Sequence, residues 1–346
     1  MSSEQRLINL YSDTQTRPSR EMREAMANAE VADEQRREDP TVNALQERVA
    51  YLLGHEAAVF LPSGTMCNAI SFRLHIRPGG DEVVLDRTAH PIVAEAGGPA
   101  SISGAMMNPL EGRNGIFSAE QVEAALRPPD RYLPRSRLVS IEQTTNMGGG
   151  RVWPLETIRE VLDVARAHDM RAHLDGARLM NAVAAAGVSA AEYAGPFDTA
   201  WVDFSKGLGA PVGAVLCGSH ELIEEAWRYK QMWGGALRQA GVLAAACMYA
   251  LDHNVDRLAE DHANAKRLAE GLAELPGVEL DPAAVETNIV IFEVPDAEAF
   301  VERAAAEGLQ LSRTPGGGVR AVTHLDVSSE QIEQALAIAR GLVSPR

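Results

Sequence analysis

Seven short, nearly continuous apolar runs recur along the chain: "EAAVFLPSG" (56–64), "DEVVLD" (81–86), "GAMMNPL" (104–110), "SRLVSIEQTT" (136–145), "MRAHLDGA" (170–177), "FDTAWVDFS" (197–205) and "VGAVLCG" (212–218). Each has strand length, and most leave too few polar positions for a half-solvated face, so they read as buried strands. Helical spacing fills the gaps between most of them, as in "GTMCNAISFRLHI" (64–76), "FSAEQVEAAL" (117–126) and the amphipathic "PLETIREVLDVARAHD" (154–169). Strands separated by helices of ten to fifteen residues predict βαβ units and a mostly parallel sheet covered on both faces.

The flanks read differently. Residues 1–20 form a polar arm that ends in the loop "SDTQTRPS". A helix over "SREMREAMANAEV" follows, capped by Ser19; a second, over "DPTVNALQERVAYLLG", is opened by Asp39 and Pro40 and closed by Gly54. A long helical region is predicted from about 239 to 275. Beyond it lie the apolar run in "GVELDPAAVETNIVIFEV", a helix at "DAEAFVERAAAEG", a strand pair around "GGGVRAVTHLDV" and a closing helix at "SSEQIEQALAIARGLV". The predicted organisation is an arm (1–20), a large α/β domain (21–250) and a small C-terminal α+β domain (251–346).

Ligands in open α/β sheets bind beyond the carboxyl ends of the strands. Two of the runs end there on a single charged side chain, Asp175 in "HLDGAR" and Lys206 in "DFSKGLG". A lysine on a glycine-flanked turn suits Schiff-base formation, since partial burial and nearby positive charge lower its pKa. A carboxylate at a neighbouring strand end can keep a pyridinium nitrogen protonated, as pyridoxal phosphate requires to serve as an electron sink. Ser63, Gly64 and Thr65 stand before a helix whose N-terminal amides can cradle a phosphate. His90, after the next strand, can stack on a pyridine ring.

Composition narrows the partners. The chain has 346 residues, with 48 acidic side chains against 32 basic ones and a formal net charge of −16. That balance argues against nucleic acid or an anionic membrane as the main partner. No run approaches the roughly 18 apolar residues of a membrane span, and no signal peptide is visible, so a cytoplasmic protein is expected. The three cysteines make no CxxC pair; Cys217 and Cys247 read as small buried hydrophobes, and no metal site is expected.

Taken in order, "YSDTQTRPSREMREAM", "EDPTVNALQERVAYLLGHEAAVFLPSGTMCN", "AHPIVAEAGG", "HLDGARLMNA", "FSKGLGAPVGAVLCGS", "LRQAGVLAAA" and "TNIVIFEV" resemble fold-type I pyridoxal-phosphate enzymes. More narrowly, they resemble the threonine aldolase group of the β-eliminating lyase family, over nearly the whole chain. The resemblance implies that Lys206 carries pyridoxal 5′-phosphate as a Schiff base, Asp175 pairs with the ring nitrogen and His90 stacks on the ring. It implies that Ser63, Gly64 and Thr65 hold the phosphate with Arg238, the arginine reaching across from a neighbouring subunit. Ser12, Arg178 and Arg320 would bind the substrate α-carboxylate, with Arg178 also beside the cofactor. A homodimer or homotetramer with shared sites is implied too.

The implied reaction is retro-aldol cleavage of an L-β-hydroxy-α-amino acid of the threonine, phenylserine or hydroxyaspartate type, giving glycine and an aldehyde. Two departures from the family pattern bear on it. Thr145 stands where relatives carry a histidine near the substrate β-hydroxyl; threonine can hydrogen-bond that hydroxyl but is no base, so His90 or a water would take the proton, or the preferred substrate differs. Gln35, Arg36 and Arg37 replace a valine-tyrosine-glycine run; the arginines either read an acidic β-substituent or simply pair with Glu34 and Glu38. The alternatives are β-elimination or dehydration with release of ammonia, and a non-catalytic protein that binds the cofactor.

Overall fold

The computed structural model describes residues 7–76 and 80–343. Its centre is a seven-stranded sheet in the order Ala57–Leu61, Ala214–Gly218, Thr199–Asp203, Arg171–Asp175, Ser136–Glu142, Glu82–Asp86, Met106–Leu110. Only Ala214–Gly218 runs against its neighbours. The other six point their carboxyl ends to one rim. This is the mostly parallel α/β sheet that the alternating pattern predicts.

Alternate residues of a strand feed different cores, as pleating requires. Ala58 and Phe60 pack on one face with Leu45, Val49 and Leu53 of the helix Pro40–Leu53. Val59 and Leu61 pack on the other with Ile70 and with Ile223 and Ala226 of the helix His220–Met232. Burial on both faces explains why these strands lack polar alternation. Met106–Leu110 is the edge, where Pro109 costs no ladder bond to a further strand.

The C-terminal unit is a second, antiparallel sheet of Ser312–Arg313, Val319–Val322 and Ile289–Phe292. Helices Leu258–Ala273, Ala297–Ala306 and Ser329–Val343 share its apolar core. The arm docks on this unit: Ile8–Asn9 pairs in parallel with Leu309–Gln310, and Ile8 and Leu10 are buried in the same core. Residues 1–6 and 344–346 of the expected arm and small domain lie outside the described residues.

Predicted caps are in place. Ser19 Oγ accepts from the Met22 amide at 3.1 Å and Asp39 Oδ1 from that of Val42 at 3.0 Å. Gly54 closes its helix at φ 74°. One element differs: the single helix expected over 239–275 is two, Gly241–His253 and Leu258–Ala273. The break falls on "NVDR" (254–257), poor helix formers but for the arginine, and Asn254 turns its amide onto the Leu208 carbonyl at 2.7 Å.

Candidate active site

Five strand ends meet around a cavity of about 320 Å³. Ser63, Gly64 and Thr65 follow Ala57–Leu61; His90 follows Glu82–Asp86; Glu142 and Asn146 follow Ser136–Glu142. Asp175 and Arg178 come from Arg171–Asp175, and Asp203 and Lys206 from Thr199–Asp203. Ser12 and Thr14 of the arm and Arg320 of the C-terminal sheet close it. Cavities of about 500 and 620 Å³ lie elsewhere, but neither gathers these groups.

Asp175 sits on the floor, fully buried. Its Oδ2 accepts from Asn68 Nδ2 at 2.8 Å and its Oδ1 from the Ala177 amide at 3.1 Å. Burial pushes the Asp175 carboxyl up, and the Asn68 hydrogen bond opposes the shift. The second hydrogen of that amide goes to Glu95 Oε1 at 2.8 Å, and Glu95 also holds His90 Nδ1 at 2.8 Å. The Glu95 hydrogen bond raises the His90 imidazole above its usual value, against the effect of burial. Glu142, across the strand pair from Asp175, is pushed up to about 7 by burial and by the Asp175 charge.

The cationic wall has two layers. Lys206 Nζ pairs with Asp203, whose other oxygen accepts from the Ser205 amide and hydroxyl at 2.8 Å. Arg178 gives Nε and Nη2 to Asp13, both at 2.7 Å, with both side chains buried. Burial would push the Asp13 carboxyl up, but Arg178, with Lys206 and Arg320 beyond, holds it well below the usual carboxylate range. Arg320 differs: Nη2 donates to Asn146 Oδ1 at 2.9 Å, while its buried Nε has no partner among the described residues. Burial pushes the Arg320 guanidinium down to about 10. A buried fork with a spare donor is a place for an anion.

Gly64 is fixed by contact rather than by backbone angle. A β-carbon there would stand 2.2 Å from the Trp201 ring, whose centroid lies 5.9 Å from Lys206 Nζ. Gly176, after Asp175, passes so close to the Trp201 carbonyl that a β-carbon would meet it at 1.8 Å. The lysine amine, the buried carboxylate, the helix start at Ser63 and the spare Arg320 donor together fit a pyridine cofactor with a phosphate, and an amino acid beside it.

Four expected residues stand apart from the cavity. Thr145 is buried, its hydroxyl accepting from the Arg151 amide at 3.1 Å and its methyl packed under Gly115. Arg36 pairs with exposed Glu38 at 3.0 Å, as its alternative reading held. Arg37 pairs with Glu224 at 2.7 Å and not with Glu34, which is buried against Lys230. Arg238 is exposed, donating to Gln35 Oε1 at 3.2 Å. Conversely, Asp13, Asn68, Glu95, Glu142, Asn146 and Asp203 shape the site without having been singled out. Asn68 and Glu95 lie within "PSGTMCN" and "AHPIVAEAGG", but nothing in either stretch tells a buried amide or acid from a helix-surface one.

The profile of the family described as beta-eliminating lyase matches residues 9–295. The chain belongs to the β-eliminating lyase family. Low-specificity L-threonine aldolase 1 of Arabidopsis thaliana is 40% identical over 340 residues, 96% of this chain and 95% of that one. Low specificity L-threonine aldolase of Escherichia coli (strain K12) is 40% identical over 341 residues, 98% of this chain and all of the other. Among solved structures, the threonine aldolase of Leishmania major superposes at TM-score 0.85 with 18% identity, covering 97% of this β-eliminating lyase and all of that chain. Sphingomonas wittichii serine palmitoyltransferase superposes at 0.74 with 20% identity, covering 97% and 86%. These neighbours share the fold-type I architecture expected of a β-eliminating lyase.

Proposed function

We propose that this protein is a pyridoxal-phosphate-dependent aldolase that cleaves L-β-hydroxy-α-amino acids between Cα and Cβ, giving glycine and an aldehyde. The carrying observation is the meeting of Lys206, Asp175, His90 and Arg320 on one cavity, in a chain 40% identical to low-specificity L-threonine aldolases over its full length. Bound pyridoxal phosphate supplies an electron sink for the pair left on Cα when the bond breaks.

Lys206 would hold the cofactor through its amine, which the pair with Asp203 keeps in place. Asp175, on the cavity floor, would pair with the ring nitrogen and favour its protonated form. Ser63, Gly64 and Thr65 present the start of the helix Gly64–His75 to the phosphate. Arg238 joins them from a second copy of the chain, which accounts for its exposure in a single copy. Arg320, with Ser12, takes the substrate carboxylate on its spare donor, and Arg178, tied to Asp13, steadies Asn146 beside it.

His90 takes the β-hydroxyl proton. Glu95 accepts from Nδ1, which leaves Nε2 bare as the proton acceptor. Thr145 has no part in this step, because its side chain is turned away from the cavity. The test is a product assay on protein supplied with pyridoxal phosphate and, separately, L-threonine, L-phenylserine and L-3-hydroxyaspartate. Glycine with one aldehyde per turnover is the expected result; ammonia without glycine would replace this reading with β-elimination.

A further inference from the structure

Behind Asp175 runs a line of buried polar groups that the proposed chemistry does not touch. Asn68 Oδ1 receives Trp201 Nε1 at 2.9 Å and contacts His173 Nε2 at 3.1 Å. His173 Nδ1 lies 2.8 Å from the Thr199 hydroxyl, which lies 3.0 Å from His75 Nε2. Asn68, His173 and Thr199 are buried, and His75 reaches the rim of the separate 620 Å³ cavity beside Arg171 and Asp198. Geometry explains the line. Asn68 and His75 are two turns apart on the helix Gly64–His75, and His173 and Thr199 are register partners on the adjacent strands beneath it.

The direction of every bond follows from one group that can only donate. Trp201 Nε1 carries a hydrogen and no acceptor, so the Asn68 atom it meets is the carbonyl oxygen. His173 Nε2 must then donate to that oxygen. Burial keeps the imidazole neutral, pushing His173 down to about 3, so Nδ1 is bare and accepts from the Thr199 hydroxyl. That hydroxyl has one hydrogen, so it accepts from His75 Nε2. Phe72 packs edge-on against the His173 ring, the centroids 5.9 Å apart. All donors therefore point toward Asp175, and the last two hydrogens, on Asn68 Nδ2, end on Asp175 and Glu95.

We propose that Asn68, His173, Thr199 and His75 form a one-way hydrogen-bond relay that keeps Asp175 ionised and aimed, so that the ring nitrogen of the bound cofactor retains its proton. They are positioning residues, and the inference rests on the reading of Asp175 as the partner of that nitrogen. Aligned donors polarise one another and favour charge at the accepting end. Without them a carboxylate buried this deeply takes up a proton instead.

The experiment is a ¹⁵N chemical-shift measurement on holoenzyme reconstituted with pyridoxal phosphate labelled at the ring nitrogen, with kcat and KM measured alongside. Asp175→Asn is the control and should move the signal to the deprotonated position. Asn68→Leu should move it in the same direction and lower kcat about tenfold or more, the scale of one hydrogen bond to a charged group. His173→Phe and Thr199→Val should move it less, with kcat down about two- to tenfold and KM little changed. Thr199→Ser, which keeps the hydroxyl, should match the parent. A parental shift in folded His173→Phe and Thr199→Val overturns the relay. If Asp175→Asn also leaves the shift in place, it is the assignment of Asp175 that fails. Should His173→Phe not fold, the Val and Ser replacements at 199 decide the matter alone.

Discussion

Two arginine-rich regions of this molecule look alike in sequence and behave oppositely in space. At the strand ends, Arg178 and Asp13 lock together with 4% and 0% of their side chains exposed. In the 33–38 segment, Arg36 and Arg37 meet Glu38 and Glu224 with more than half of every side chain in water. Inside that segment Glu34 is again the opposite case, buried against Lys230 and accepting from the Leu237 amide at 2.8 Å. Charge and spacing do not separate these pairs. Solvent does, because exposed pairs are screened while a buried charge stripped of its partner is severely penalised.

The comparison can be broken at its strongest point first. Lys206→Ala should abolish turnover; measurable glycine release would end the proposed role of the lysine. Next, Asp13→Ala should destabilise the fold by about 3–5 kcal/mol by stranding Arg178 in the interior; urea unfolding reads this directly. The same pair sets a pH dependence. Asp13 is held below its unfolded value of 3.8, so its contribution is complete above that pH and is lost as pH falls below it. The parent should therefore lose more stability than Asp13→Ala on acidification through that range.

A smaller effect concerns His90. Glu95→Gln removes the acid that raises the imidazole, so His90 gives up its proton at lower pH and the acid limb of the kcat/KM profile should shift downward. An unmoved limb would take the base assignment away from His90. Smallest of all, Arg36→Ala and Arg37→Ala should each cost under about 1 kcal/mol and leave the ratio of activities on L-3-hydroxyaspartate and L-threonine unchanged. A selective loss on hydroxyaspartate would mean that a second copy carries these arginines to the cavity.

The difference in legibility between the two regions is physical. Asp175 and Lys206 are readable because each ends a buried apolar run, and an isolated charge at such a point needs a reason. Ser63, Gly64 and Thr65 are readable because a helix start follows at once. Asp13 and Asn68 are not, since their neighbours in sequence also fit caps, surface helices or loops. The break at Asn254 was hidden for a related reason: helical spacing persists on both sides, and only the Leu208 carbonyl calls the asparagine side chain away.

The sequence by itself determined the alternation of strands and helices, the mostly parallel sheet and the rim on which chemistry gathers, because periodicity, capping and strand handedness are local and chiral rules. Tertiary structure alone decided which acid meets which base. It put Asp13 on Arg178, left Arg320 with a free donor, turned Thr145 away from the cavity and lined up three buried groups and the half-buried His75 behind Asp175. Those outcomes depend on residues as much as 174 positions apart, as Asn146 and Arg320 are, coming within 3 Å of one another. No local pattern encodes that, because desolvation and hydrogen-bond direction are set by whatever the folded chain brings alongside.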